Sequence, residues 1–356
     1  MTKHSWAVKH WKLILNWLTL AALIVLIIAI RQQIGDTIRN FAHVNAWILL
    51  LMVPIEILNY HAQARLYQRL FKIVGNTLSY KFLYRTSLEL NFVNHVFPSG
   101  GVTGVSYFGL RLRDGDSISS GKATLVQIMK LGLTFLSFEI LIIFGLFSLA
   151  IMGRVNSLVI LVAGSLSTLL VVGTFGFIYV VRSEDRIKSF FTTITKGLNR
   201  VIHIVRPNYP ETINIIGARK VFDDFHENYE SIEQNASHLK QPFWYAFLAN
   251  LTEVMALYIV YLAFGKPVNI GAVILAYAIA NFAGFISVLP GGVGIYEALM
   301  TGVLASTGVR AAISLPVTIM YRVVNTIIQL PPGYYFYQKS LRGSNRLPGE
   351  IEKIKD

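Results

Sequence analysis

The sequence contains no cysteine and few charged residues. None of its 356 residues is a cysteine, which excludes a disulfide framework, thiolate metal sites and a cysteine nucleophile. Charged residues make up 14% of the chain, against about 25% in an ordinary soluble domain. This composition excludes an intrinsically disordered chain and is not typical of a soluble globular protein.

Apolar residues make up 54% of the sequence, and the mean hydropathy is +0.53. Apolar segments run almost from end to end, so we predict one membrane domain over residues 1–356. The net charge is +13, but Lys and Arg lie in the gaps between apolar runs, where cytoplasmic loops of membrane proteins collect them. The positive charge therefore indicates membrane topology and no nucleic-acid partner.

Six apolar runs are long enough to predict full membrane spans. They cover residues 13–30, 44–60, 125–152, 157–181, 243–264 and 311–330. Basic residues at both termini and in segments 65–85 and 111–122 place these parts of the chain on the cytoplasmic side. We therefore predict a multi-pass protein of the cytoplasmic membrane with both termini in the cytoplasm.

Two further apolar segments are interrupted by proline and paired glycines. They read NFVNHVFPSGGVTG from Asn91 and NFAGFISVLPGGVG from Asn281. Such breaks free backbone groups that lipid cannot satisfy, so we predict two re-entrant hairpins that line a polar cavity. Exposed helix ends at such breaks attract anions. The candidate substrate-binding residues of the breaks are Pro98, Gly100, Gly101, Pro290, Gly291 and Gly292.

The surroundings of the two breaks also correspond. Glu56 and Glu253 precede the two prolines by 42 and 37 residues, and Lys130 and Arg322 each follow by 32 residues. The charge pattern gives the two sets of segments opposite orientations. We therefore predict an all-α polytopic fold of six full spans plus two re-entrant hairpins, arranged as an inverted-topology repeat.

The predicted repeat halves cover residues 13–155 and 156–338. A cytoplasmic insertion, residues 182–241, separates spans of the second half and carries apolar residues at helical spacing with Lys and Arg between them. This pattern predicts a basic amphipathic helix that binds anionic lipids of the inner leaflet. A helix packed on the bundle fits the same pattern.

Charged residues inside predicted spans are costly unless they are paired or line a polar site. The bases are candidates for binding a lipid phosphate. The acids are candidates for binding a cationic group or relaying protons. Pairing that only locks helices together is the alternative for each. The candidates are Arg322, Lys130, Glu297, Glu253 and Glu56, with Glu89 and Glu139 as further acids.

No P-loop, HExxH, GxSxG or dinucleotide fingerprint occurs in the sequence. We therefore predict no catalytic residue, no metal and no cofactor, and favour a lipid translocase over an enzyme. A membrane-embedded enzyme or accessory subunit of lipid or glycan synthesis is one alternative, and a small-solute secondary transporter is another. The sequence leaves a homo-oligomer open.

The motifs FPSGG and LPGGVGIYEA, YR at 321–322 and PPG at 331–333 resemble one known family. They are similar to the membrane region of bacterial lysyl-phosphatidylglycerol synthase/flippase proteins and to stand-alone proteins built from that region. The resemblance covers nearly the whole chain. It implies a flippase-like fold with two re-entrant loops, and in the two-part proteins this region is linked to translocating aminoacylated lipid. From the anion-attracting breaks and the buried bases, we predict a translocase for a phosphate-bearing lipid, phospholipid or polyprenyl-phosphate-linked. The aminoacyl-transfer domain has no counterpart, so we expect no synthase activity.

Overall fold

The computed structural model is all-helical over the residues that it describes. These are residues 17, 19–21, 24–25, 28, 31–36, 38–39, 44–97, 102–116, 118–181, 183, 186, 189, 236–281 and 293–343. Within this part the bounds of a 3₁₀ turn, Ala236–Leu239, and of ten helices are defined, and residues 31–36 and 38–39 are also helical. The helices are α1 (Ala46–Leu49), α2 (Met52–Ile73), α3 (Tyr80–Val96), α4 (Val102–Asp116), α5 (Ser120–Ile151), α6 (Ser157–Val181), α7 (Lys240–Ala263), α8 (Ile270–Asn281), α9 (Ile295–Ser306) and α10 (Ala311–Gly343).

Four of these helices are long and apolar enough to cross a membrane, counting the described ranges alone. Their apolar parts coincide with four of the six predicted spans, and the chain is an α-helical multi-pass membrane protein. Most of the first predicted span, most of the 182–241 insertion and all six proline and glycine candidates of the breaks lie outside the described residues. The four segments are Gly121–Ile151, Ser157–Gly176, Lys240–Ala263 and Ala311–Arg342.

The helix at the second predicted span is displaced from the prediction. Instead of ending near residue 60 before a cytoplasmic segment, α2 continues to Ile73, and α3 begins at Tyr80 after its N-cap Ser79. Buried apolar residues continue at helical spacing through this basic segment, as Tyr67 and Phe71 show. A helix with one buried face tolerates basic residues on its outer face, so the charge pattern did not mark the helix end.

The last helix also continues past its predicted end at residue 330. Helix α10 extends to Gly343 and includes Pro331 and Pro332. Proline removes a helical hydrogen bond and normally kinks or ends a helix. The next residue, Gly333, allows close packing on α3: a Cβ there would lie 2.8 Å from the Leu88 carbonyl oxygen and 2.8 Å from the Phe92 Cβ. Packing against α3 therefore stabilises the helix through the prolines.

Two long helices each pack antiparallel on a short helix that is remote in sequence. Helix α10 packs on α3, where the Asn91 side chain donates to Gln329 at 2.6 Å. Helix α5 packs on α8, where a Cβ on Gly271 would lie 2.2 Å from the Gly145 carbonyl oxygen. Both contacts depend on a glycine that brings two backbones close together.

Helices α2 and α7 pack along each other at the centre of the bundle. The Asn59 side chain donates to the Ala249 carbonyl and the Thr252 hydroxyl, each at 2.9 Å. The Asn45 N–H donates to the Ala263 carbonyl at 2.9 Å, which fixes an antiparallel orientation. Polar side chains therefore cross the centre of an otherwise apolar core.

The helices beside the two breaks are short. Helices α8 and α9 have 12 residues each, about 18 Å at 1.5 Å per residue, which is less than the ~30 Å apolar core of a bilayer. Helices α3 and α4 have 17 and 15 residues, and α3 begins well before Asn91, the first residue of the interrupted segment. The breaks themselves lie outside the described residues.

Candidate functional site

Glu297, in the first turn of α9, accepts hydrogen bonds from three separate parts of the chain. Its Oε2 accepts the Gly294 N–H at 2.6 Å. Its Oε1 accepts the Arg322 guanidinium of α10 and, at 2.8 Å, the side-chain amide of Gln33. The backbone at Gly294 has φ of +89°, a conformation that glycine adopts without strain. That requirement explains the last glycine of the LPGGVG motif.

The ion pair between Arg322 and Glu297 is buried. The side chains are 15% and 7% exposed, respectively. The guanidinium carbon of Arg322 also lies 4.9 Å from the centre of the Tyr296 ring, a cation–π geometry. A base and an acid that the sequence placed in different segments, a predicted span and a predicted hairpin, therefore meet in one site.

Glu56 and Glu253 form a second polar cluster between α2 and α7. The Gln329 amide donates to Glu56 Oε2 at 2.8 Å. The Tyr321 hydroxyl donates to Glu253 Oε2 at 2.7 Å. The two carboxyl groups lie within electrostatic reach of each other. Among the described residues neither carboxylate pairs with a basic side chain.

The surroundings of Glu56 are almost closed to solvent. The side chain is 1% exposed, and its Oε1 has no hydrogen-bond partner in the part of the chain that the structure describes. The Gln329 oxygen accepts from Asn91, which also donates to the Tyr60 hydroxyl. One oxygen of Glu56 therefore accepts a hydrogen bond, and the other is buried without a donor among the described residues.

The two clusters are neighbours along α10 and α9. Tyr321 contacts Glu253, while the next residue, Arg322, contacts Glu297. Tyr296 lies within electrostatic reach of Glu253, Glu297 and Arg322. A movement of this turn of α10 would therefore affect both carboxylate clusters.

Lys130 lies in different surroundings. Its Nζ donates to Gln63 Oε1 at 3.2 Å and to the Tyr67 hydroxyl at 3.1 Å, and it lies 4.8 Å from the centre of the Tyr67 ring. No carboxylate of the described residues pairs with it. The contacts described for Lys130 are with α2, whereas those described for Arg322 are with α9.

The other acids have separate environments. Glu89 accepts from Arg111 at 2.9 Å and from the Tyr107 hydroxyl at 2.8 Å, and this buried pair joins α3 to α4. Glu139 of α5 is half-buried, and its Oε2 has no hydrogen-bond partner within the described ranges. Those ranges contain no group of three or more metal-ligating side chains.

Sequence reasoning missed three amide side chains of these clusters. Gln33 supports Glu297, and Gln329 and Asn91 connect Glu56 to Tyr60. The available signal was the position of each amide within or beside an apolar run, where an unpaired polar group is costly. An amide carries no charge, so a pattern of charged residues does not reveal it.

Relatives with sequence similarity are UPF0104 membrane proteins of archaea. One from Methanocaldococcus jannaschii is 21% identical over 318 residues, covering 86% of this chain and 90% of that protein. One from Methanothermobacter thermautotrophicus is 33% identical over 91 residues, 26% of this chain and 27% of that protein. One from Pyrococcus horikoshii is 24% identical over 102 residues, 29% of this chain and 30% of that protein. The last two matches therefore span less than a third of each relative. No solved structure matches the chain.

The family comparison agrees with the resemblance that the motifs indicated, and that expectation is confirmed. A family described as "Lysylphosphatidylglycerol synthase TM region" matches residues 14–333. That range includes both interrupted segments and the Tyr321–Arg322 pair. The chain is therefore a member of the lysylphosphatidylglycerol synthase membrane-region family.

Proposed function

We propose that this protein moves a phosphate-bearing lipid, either a phospholipid or a polyprenyl-phosphate-linked lipid, between the two leaflets of the membrane. The observation that carries the proposal is the convergence of three donors on Glu297: the Gly294 N–H, the Arg322 guanidinium and the Gln33 amide. A guanidinium and a backbone N–H at a helix N-terminus are the donors that phosphate groups bind. Glu297 holds these donors together as an internal anion.

Exchange between Glu297 and a lipid phosphate gives the site its mechanism. Arg322 can release one acceptor and bind the other without passing through an unpaired state, which would be costly in an apolar interior. The carboxylate holds the empty site together, and the phosphate replaces it on binding. The acyl chains stay in the bilayer beside the bundle, while the headgroup crosses on the polar side chains.

The arrangement of the helices supports a transporter. Each long helix that carries a base, α5 with Lys130 and α10 with Arg322, packs on a short helix beside the opposite break. The long helix of each half therefore packs on a short helix of the other half. This arrangement fits an inverted repeat of halves 13–155 and 156–338, with re-entrant hairpins at the breaks. In transporters of that design, substrate sites lie where interrupted helices meet near the membrane midplane.

The family description supports a lipid as the substrate, because it names the synthase of an aminoacylated phospholipid. Glycerophospholipid is accordingly the first class to test. A small-solute transporter would need the same polar centre but would not require a phosphate joined to acyl chains. The assay must therefore separate the phosphate from the acyl chains.

The decisive experiment is a flipping assay with the purified protein in liposomes. Two fluorescent lipids with the same acyl chains are compared, one with a phosphate in its headgroup and one without, and an impermeant quencher reports leaflet position. We expect rapid flipping of the phosphate-bearing lipid only. Equal rates for both lipids, or no rate above protein-free liposomes for a series of phosphate-bearing headgroups, would overturn the proposal.

Arg322 provides the matched variants for this assay. Arg322→Lys keeps the charge but loses the bidentate fork, so we expect partial activity. The double variant Arg322→Gln with Glu297→Gln removes both charges, and we expect an assembled protein with flipping reduced about tenfold or more, since one charge-assisted contact contributes roughly 1.5–3 kcal/mol. Full flipping by the double variant would show that the pair only joins helices.

The proposed orientation has its own test, which the absence of native cysteine makes simple. A single cysteine at position 154 or 266, in the turns after α5 and α7, should react with an impermeant thiol reagent added to intact cells. A cysteine at position 76, between α2 and α3, should react only after the membrane is permeabilised. The reverse pattern would reject the predicted topology.

A further inference from the structure

Four acids within the part of the chain that the structure describes fall into two kinds. Glu89 and Glu297 each pair with an arginine. Glu56 and Glu253 lie within electrostatic reach of each other, and across the described residues each is hydrogen-bonded to a neutral side chain instead of a base. Asn59, one helical turn after Glu56, donates a hydrogen bond to Thr252, the residue before Glu253. The two acids therefore lie on turns of α2 and α7 that pack directly against each other.

Electrostatics restricts the charge of this pair. A buried carboxylate without a cation is strongly disfavoured, and two such groups that share one site cannot both be ionised. Glu56 is 1% exposed, and its Oε1 meets no donor within the described part of the chain. An ionised Glu56 would leave that oxygen unsatisfied, whereas a protonated oxygen carries no charge to be solvated.

We propose that Glu56 and Glu253 together form a proton-binding site, and that its proton is exchanged with water when the lipid moves. The second part of this proposal rests on the proposed lipid transport. On binding, a proton from the aqueous phase forms an O–H bond with one carboxylate oxygen; on release, that bond breaks and the carboxylate is restored. The side chain of Glu253 is half-buried, whereas that of Glu56 is buried.

A structural connection links this site to the Arg322 cluster. Tyr321 donates to Glu253, and the adjacent Arg322 holds Glu297. If a lipid phosphate replaces Glu297 on Arg322, the same turn of α10 changes its contacts with Glu253. Protonation of the acid pair and binding of the lipid would thus influence each other through two consecutive residues.

The other titratable and charged groups around the pair are mainly phenols, which are neutral at physiological pH. Four tyrosines from four helices lie within electrostatic reach of one or both acids, and Arg322 and Glu297 lie one contact further away. Among the described groups within electrostatic reach of the acids themselves no histidine or lysine competes for the proton, whereas His95 of α3 lies within electrostatic reach of Arg322. The groups are Tyr60 of α2, Tyr277 of α8, Tyr296 and Glu297 of α9, and Tyr321 and Arg322 of α10.

Infrared spectroscopy of the purified protein tests the proton site without any transport. A protonated carboxylic acid has a carbonyl stretch that a carboxylate lacks. We expect this band at neutral pH in sodium-free buffer and its loss in the double variant Glu56→Gln with Glu253→Gln. Each single variant replaces an acid by a neutral isostere, so we expect both to assemble like the parent protein.

Glu139→Gln is the matched control, because Glu139 is also an acid with an oxygen that has no partner among the described residues but lies on α5, whereas the pair lies on α2 and α7. This variant should keep the band assigned to Glu56 and Glu253. Loss of the band in Glu139→Gln, with no change in the double variant, would overturn the proton site. A band that is absent until sodium is removed would also overturn it, in favour of a bound monovalent cation.

Flipping under a pH gradient tests the coupling. In liposomes with different internal and external pH, we expect the parent protein to move lipid faster in one direction and Glu253→Gln to lose that preference. An infrared band together with gradient-independent flipping would reject the coupling and leave lipid transport intact. No flipping by any variant, with the band present, would reject the proposed function and leave the proton site intact.

Discussion

Lys130 and Arg322 stand at equivalent places in the sequence, each 32 residues after the proline of a break, at Pro98 and Pro290. Their surroundings in the folded protein are nevertheless different. Arg322 is held by the carboxylate of Glu297, whereas Lys130 is held by an amide and a phenol of α2. An internal correspondence thus places a base in each half but does not determine its partner.

The difference has a visible origin in the sequence. Glu297 lies seven residues after Pro290, and the residue seven positions after Pro98 is Val105. The first half therefore has no acid at the equivalent position, and Lys130 donates hydrogen bonds to polar residues of α2 instead. The proposed exchange between a carboxylate and a lipid phosphate therefore applies to Arg322, which holds such a carboxylate.

The largest expected effect comes from breaking the Arg322–Glu297 pair on one side. Arg322→Gln leaves a buried carboxylate without its counter-charge, which costs about 3–5 kcal/mol of stability. Thermal unfolding followed by the loss of monodisperse protein in detergent measures this effect. The double change with Glu297→Gln should restore assembly, and a double variant as unstable as the single one would contradict the pairing argument.

A smaller effect is expected where the base-carrying helices pack closely. Gly271→Ala places a Cβ 2.2 Å from the Gly145 carbonyl oxygen, and we expect a loss of about 1–3 kcal/mol from overpacking, measured by thermal unfolding. Gly302→Ala is the control, because nothing lies within 4 Å of a Cβ there. That control should be neutral or slightly stabilising. Equal effects of the two substitutions would argue against the close contact between α5 and α8.

The smallest effect is expected at Lys130. Lys130→Gln removes hydrogen bonds to Gln63 and Tyr67 but leaves no buried carboxylate unpaired, so stability should fall by only about 0.5–1.5 kcal/mol. The flipping assay should show little loss. A Lys130→Gln variant as unstable or inactive as Arg322→Gln would remove the distinction between the two bases.

Apolar length alone was sufficient for part of the fold. Helix α6 occupies the predicted range 157–181, and α5 and α7 begin within about one turn of their predicted spans. The ends of α2 and α10 were predicted poorly, since tertiary packing extended both helices through segments whose charges or prolines indicated an end. Hydropathy detects the apolar run, whereas the helix continues as long as one face stays buried.

The residues of the candidate site were also only partly predictable from the sequence. The sequence identified Glu56, Glu253, Glu297, Lys130 and Arg322 as polar groups in apolar surroundings, because their residue types and positions suffice for that inference. The supporting amides Gln33 and Gln329 escaped notice, since an uncharged side chain in an apolar run gives a weak signal. Their importance depends on what they contact.

The sequence by itself determined that this is an α-helical multi-pass membrane protein with two interrupted segments and a limited set of buried charges. Composition and spacing along the chain are sufficient for those conclusions. Only the tertiary structure decided that Arg322 meets Glu297, that Lys130 meets no described carboxylate, and that Glu56 and Glu253 lie within electrostatic reach of each other. Electrostatic energy in an apolar interior depends on distances between side chains of different helices, and spacing along one chain does not contain those distances.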